Sequence, residues 1–189
     1  PRYRGDKFAG SWTHADGVIG HFAIGRDGAR DLSLLPYATH LIILEAKMFS
    51  KFSTGVTHAK YYNQAARNVA CITEILKRGK RKPSELNSLG FYVIAPQSQI
   101  EEGVFASLMT HDCVRKTVER RVNEYNESKE DWFRGWFLPT LEKIELRSIS
   151  WEEIISEIIE LDSSSGKDLK DFYELCLQFN RLEAAQWAF

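Results

Sequence analysis

Two apolar runs, HLIILEAK at 40–47 and GFYVIAP at 90–96, flank a stretch in which Val69, Ile72 and Leu76 recur at helical spacing. A strand, a helix and a second strand in that order constrain the fold more than any other feature of the chain. Such a crossover sets the two strands parallel, side by side or with one neighbour between them, and lays the helix over a face of the sheet. The spacing predicts one long amphipathic helix over Val56–Arg78, stopped by Gly79. The expected class is therefore α/β, a mixed central sheet with helices packed on it.

The remaining pattern extends this core. ADGVIGHFAI, Ala15 to Ile24, has the β-branched and aromatic content of a strand, and the GRDG that follows is a turn signal. His40–Lys47 reads as a second, more buried strand, which can pair with the first as an antiparallel hairpin. A helix is expected over about 100–128, and WFRGWFLP should break it through Gly135 and Pro139. LEKIELRSI, Leu141 to Ile149, reads as a strand. Ser150 and Glu153 then form a capping box before a helix whose apolar face is Ile154, Ile155, Ile158 and Ile159. DSSSGKD, 162–168, reads as a polar loop before a last helix over about 167–182. At 189 residues and without internal repeats the chain suits one domain, with a core over about 12–160 and a C-terminal helix and tail over 166–189.

Composition excludes several classes. The chain is 43% hydrophobic and 27% charged, and no apolar run approaches the roughly 20 residues of a membrane span, so no membrane partner is expected. PRYRGDKFAG does not read as a secretory signal. Cys71, Cys113 and Cys176 are odd in number and lack CxxC spacing, which predicts reduced, mostly buried thiols in a cytoplasmic protein and no zinc site. A net charge of −1 argues against a dedicated duplex binder, although KRGKRKP, 77–83, is a local basic patch.

The chemistry centres on LIILEAK. Side chains alternate along a strand, so Leu41, Ile43, Glu45 and Lys47 share one face while Ile42, Leu44 and Ala46 share the other. An acid two residues before a lysine occurs three times, at Glu45, Glu127 and Asp168, but only Glu45 and Lys47 end an apolar strand. Asp16 begins the preceding strand, which an antiparallel hairpin places beside the end of the second. Two carboxylates brought together repel unless a cation lies between them, and a divalent ion with oxygen ligands is the usual solution. Asp31, in the connection, is the rival acid and ranks below Asp16. On the predicted helix, Lys60, Gln64 and Arg67 form one polar stripe facing the same rim. His14, two residues before Asp16, is a candidate for the edge of the site.

ADG, then LIILEAK, then YYNQAAR resembles the PD-(D/E)xK nuclease superfamily, the restriction-endonuclease-like fold. Asp16 matches the first acidic position, Glu45 and Lys47 match the second motif, and Gln64 resembles the helix glutamine of several branches. Ala15 stands where the motif's name has Pro. The helix that usually begins this fold does not read from PRYRGDKFAGSW. The resemblance implies a metal-dependent nuclease acting on nucleic acid, most plausibly DNA. Asp16, Glu45 and the carbonyl of Ala46 would hold Mg²⁺ or Mn²⁺. Lys47 would orient or help deprotonate water, Gln64 would position water or backbone, and Arg67 or Lys60 would meet a phosphate oxygen. The alternative is a nuclease-fold module that binds nucleic acid or protein without catalysis.

Other features read as structural. HDC, 111–113, is not a catalytic pair, because sequence neighbours rarely form one. Trp132, Phe133, Trp136 and Phe137 read as a core cluster rather than a base-stacking platform. Trp187 and Phe189 in the tail could pack against a second subunit in a homodimer.

Overall fold

A computed structural model describes residues 14–25, 32–125 and 129–186, with side chains through residue 180. Asp31, the 1–13 segment, and Trp187 and Phe189 lie outside the described residues. The architecture is mixed α/β: a four-stranded sheet and a separate two-stranded antiparallel sheet, flanked by helices. No helix among the described residues is long and apolar enough to cross a membrane.

In the main sheet β1 (Gly17–Gly20) runs antiparallel to β4 (His40–Ala46). β4 is parallel to β5 (Ser88–Ala95), and β5 to β6 (Glu145–Ser150), in the order β1-β4-β5-β6. The expected parallel pair is thus present with no strand between its members. Burial along β4 alternates as its sequence requires, with Leu41, Ile43 and Glu45 buried and Ile42, Leu44 and Ala46 half-buried. Leu41, Ile43, Phe91 and Val93 share one hydrophobic core with Val69, Ile72 and Leu76 of α1 (Gln64–Arg78) and Val114 and Val118 of α3 (His111–Asn123).

Several elements depart from expectation, each for a local reason. The predicted strand 15–24 divides into β1 and β2 (Phe22–Ile24), and β2 leaves to pair with β3 (Leu32–Leu34) in the small sheet. The break falls after Gly20, whose φ of +147° other residues rarely adopt, and a Cβ there would lie 2.3 Å from the carbonyl oxygen of His40. The helix predicted from Val56 starts only at Gln64. Val56 and Ala59 instead exchange two backbone hydrogen bonds of 3.0 Å around a tight turn, and Asn63 caps α1 by accepting from the Ala66 N–H at 3.0 Å. Lys60 is therefore not on the helix, and the expected stripe of Lys60, Gln64 and Arg67 does not form.

The predicted helix 100–128 is two helices, α2 (Gln97–Glu101) and α3, because Thr110 caps a new start by accepting from the Cys113 N–H. WFRGWFLP does not break its helix. α4 (Glu130–Trp132) passes through a π-helical turn at Phe133–Phe137 into α5 (Leu138–Lys143), with the buried Phe133 and Phe137 rings stacked at 5.3 Å. This bears out the core reading for Phe133 and Phe137, with Trp132 packed against them, while Trp136 is half-buried with Lys82 Nζ over its ring. Residues 141–143, expected in a strand, close α5 before β6 begins. Ser150 caps α6 (Trp151–Leu161) by accepting from the Glu153 N–H at 2.9 Å. DSSSGKD is not a loop: Asp162 accepts from the N–H groups of Ser164 and Ser165, and α7 (Ser163–Gln186) starts there. The thiols are less buried than expected, Cys71 being exposed and Cys113 and Cys176 half-buried.

Candidate metal and phosphate site

The register of β1 on β4 decides whether the acids meet. Gly17 pairs with Leu44, so Asp16, one step earlier, comes beside Glu45. The Asp16 N–H donates to Leu44 O at 3.1 Å, and the Ala46 N–H donates to Asp16 Oδ2 at 2.8 Å. Successive strand residues turn their backbone groups to opposite neighbours, so Ala46, two after Leu44, directs its carbonyl toward the β1 side, where Asp16 lies. The three expected metal donors, Asp16, Glu45 and Ala46, thus gather at one edge.

Glu45 is the centre of the cluster. It is only 4% exposed although it carries a carboxylate. Its Oε1 accepts from Lys47 Nζ at 2.7 Å and from Gln64 Nε2 at 2.5 Å. Its Oε2 is buried without a hydrogen-bond partner. Burial raises the Glu45 pKa, Lys47 pulls it back and the negative charge of Asp16 pushes it up again, leaving it above the usual carboxylate range. Lys47 offsets its charge, but with Oε2 unpartnered beside a second acid the buried carboxylate keeps one unsatisfied acceptor.

The start of α1 supplies the opposite wall. Gln64 donates to Glu45 through Nε2 and accepts from the Ser53 N–H at 3.2 Å through Oε1, so both ends of its amide are used. Arg67 is buried and directs Nη1 to the carbonyls of Gly55 at 3.3 Å and Tyr62 at 3.4 Å, while its Nε has no partner. It braces the 53–62 loop from beneath. Lys60 is exposed on that loop, and His14 is exposed ahead of Asp16.

Two residues that sequence reasoning missed, Trp151 and Gln99, hold the backbone of Lys47 and Phe49. The Lys47 N–H donates to Ile94 O at 2.8 Å, so in a parallel ladder its carbonyl should accept from residue 96. That residue is Pro96, which has no N–H. The indole Nε1 of Trp151 donates to the Lys47 carbonyl instead, at 3.1 Å. Next to it, the buried Gln99 accepts from the N–H of Phe49, which sits at φ +62°. Pro96 could have signalled an orphaned carbonyl, but nothing local identifies a partner 104 residues after Lys47.

The donor chemistry fits a hard divalent cation. Among the described residues no cluster of three or more His, Cys, Asp or Glu forms, so the chain offers two carboxylates and a carbonyl. Mg²⁺ is commonly bound this way, with water and substrate phosphate completing its shell. No family model, no curated protein and no solved structure matches the chain. Function is therefore inferred from the chemistry of the site.

Proposed function

We propose that the protein is a metal-dependent phosphodiesterase of the PD-(D/E)xK type, with a restriction-endonuclease-like core, acting on DNA. One observation carries this reading: the buried Glu45 gives Oε1 to Lys47 and Gln64 and keeps Oε2 free beside Asp16. The antiparallel β1-β4 pair followed by parallel β5, with α1 crossing between β4 and β5, supports the finer fold assignment.

In this reading Asp16, Glu45 and the Ala46 carbonyl hold Mg²⁺ or Mn²⁺, which when bound polarises the scissile phosphate and lowers the pKa of a bound water. Lys47 Nζ, fixed beside Glu45, orients the attacking water and offsets negative charge building on the phosphate oxygens. Gln64 holds the Glu45 carboxylate in one rotamer by fixing Oε1, which leaves Oε2 as the unpartnered oxygen.

The test is cleavage of labelled single- and double-stranded DNA and of RNA with Mg²⁺, with Mn²⁺ or with EDTA. Wild type should cut in a metal-dependent way, and Glu45→Gln and Lys47→Ala should fall by at least about 100-fold, the scale of a lost charge-stabilising group. Wild-type activity no higher than that of Glu45→Gln would overturn the proposal. Nucleic-acid or protein binding without cleavage in any metal would identify a nuclease-fold binding module instead.

A further inference from the structure

The 28 residues from Ala46 to Thr73 contain Lys47, Lys51, Lys60 and Arg67 and no Asp or Glu, in a chain with 26 acids among its 189 residues. Residues 151–174 show the reverse, with eight acids against Lys167 and Lys170. A net charge of −1 therefore conceals a polarised molecule, with its positive segment leading out of the candidate site. Lys47 and Arg67 are spent within the fold, the first on Glu45 and the second on loop carbonyls. Lys51 and Lys60 are exposed, as is His58 at the tip of the turn.

The loop that carries them is braced. Phe52, Val56 and Ala59 are buried between its exposed positions. Val56 and Ala59 close the turn, the Gln64 N–H donates to Ser53 O at 2.9 Å, and Arg67 holds Gly55 and Tyr62. At its base Arg120 of α3, also exposed, lies over the Tyr61 ring at 3.7 Å. Gln64 ties this same loop to Glu45, so its cations are held at a set position relative to the carboxylates.

We infer that the 51–60 loop is the surface that grips the phosphate backbone of a nucleic-acid strand, through Lys51 and Lys60, and leads it to the Glu45 site. The inference deepens the nuclease reading by assigning a substrate track to that site. Charge complementarity selects the partner: a polyanion gains by lying along a loop whose own side chains include cations and no carboxylates, the Glu124 carboxylate that meets Tyr61 at its base being paired with Arg121, and is repelled from the acidic α6–α7 hairpin. The earlier pairing of Arg67 or Lys60 with phosphate thus becomes a division of labour. Lys60 and Lys51 contact the strand, and Arg67 shapes the loop.

The test measures binding of fluorescein-labelled single-stranded and duplex oligonucleotides by anisotropy in EDTA, across a salt series. The Lys51→Ala/Lys60→Ala variant is compared with Lys77→Ala/Lys80→Ala, a control at the far end of α1, roughly 20 Å away at 1.5 Å per residue. All four lysines are exposed, so both variants should melt close to wild type. At the single-strand slope of about −0.7 per phosphate contact, losing two contacts flattens the log–log salt slope by about 1.4. That weakens binding about 25-fold at 0.1 M salt, while the control binds like wild type. Absence of wild-type binding, or equal losses in the two variants, would overturn the inference. Loop-dependent binding with no cleavage in Mg²⁺ or Mn²⁺ would refute the nuclease reading and leave the loop assignment standing.

Discussion

Replacing Trp151 with Phe deletes a single hydrogen bond whose acceptor has no substitute donor. The Lys47 carbonyl is served at 3.1 Å by the indole because Pro96 occupies the ladder position that would otherwise donate. Leaving a buried acceptor unpaired costs about 1–3 kcal/mol. Trp151 is half-buried, so water reaches part of the vacated space and the lower half applies, about 1–2 kcal/mol. For a chain of this size each kcal/mol moves Tm by about 2–4 °C, so Trp151→Phe should melt roughly 2–8 °C below wild type. Pro96→Ala restores an N–H at the ladder position. On its own it should change little, and combined with Trp151→Phe it should recover most of the loss. The assay is a double-mutant cycle by urea or thermal unfolding followed by circular dichroism. An unchanged Tm for Trp151→Phe, or additive losses in the double variant, would refute the reasoning. In the nuclease reading Trp151→Phe should also lower kcat more than it changes KM, because Lys47 is displaced and the substrate-gripping loop is not.

Two further predictions follow from other parts of the fold. The folded-state pKa of Glu45 is raised, so between the ordinary carboxylate value of 4.5 and that higher value the native state binds more protons than the unfolded state, and stability contributed by this site falls as pH rises through the window. Unfolding of Glu45→Gln across this range should lack that loss and gain on wild type toward neutral pH. Added Mg²⁺ should reverse the order by stabilising only wild type, and an identical pH dependence for the two proteins would contradict the burial argument. Gly166→Ala should cost about 1–3 kcal/mol by overpacking, because a Cβ at 166 would lie 2.6 Å from the backbone of Ile159 where α7 crosses α6. A variant as stable as wild type in urea would show that the two helices separate at little cost.

Much of this architecture is legible in the amino-acid order. Alternation in LIILEA sets Glu45 on one face with Leu41 and Ile43, and Ser150 marks the start of α6, because both depend on a few neighbouring residues, while the connecting helix makes β4 and β5 parallel. The meeting of Asp16 with Glu45 was also legible, since antiparallel pairing brings the start of one strand to the end of the next. Periodicity failed where a local alternative was stronger. The Val56–Ala59 turn and the Asn63 cap displaced the start of α1, and the buried Phe133 and Phe137 carried a helix through Gly135 and Pro139.

Tertiary structure alone decided how the charged groups are used. Spacing set Lys60 and Arg67 on one polar stripe and the resemblance implied a phosphate contact for either, yet one is exposed on a braced turn and the other is buried beneath it. Only the packed chain shows that Glu45 keeps one oxygen unpartnered, or that Trp151 supplies the donor Pro96 lacks. The physical reason is range. Backbone preference and side-chain periodicity act over a handful of residues, whereas the state of a carboxylate or a carbonyl depends on every group brought within hydrogen-bonding distance, from any distance along the chain.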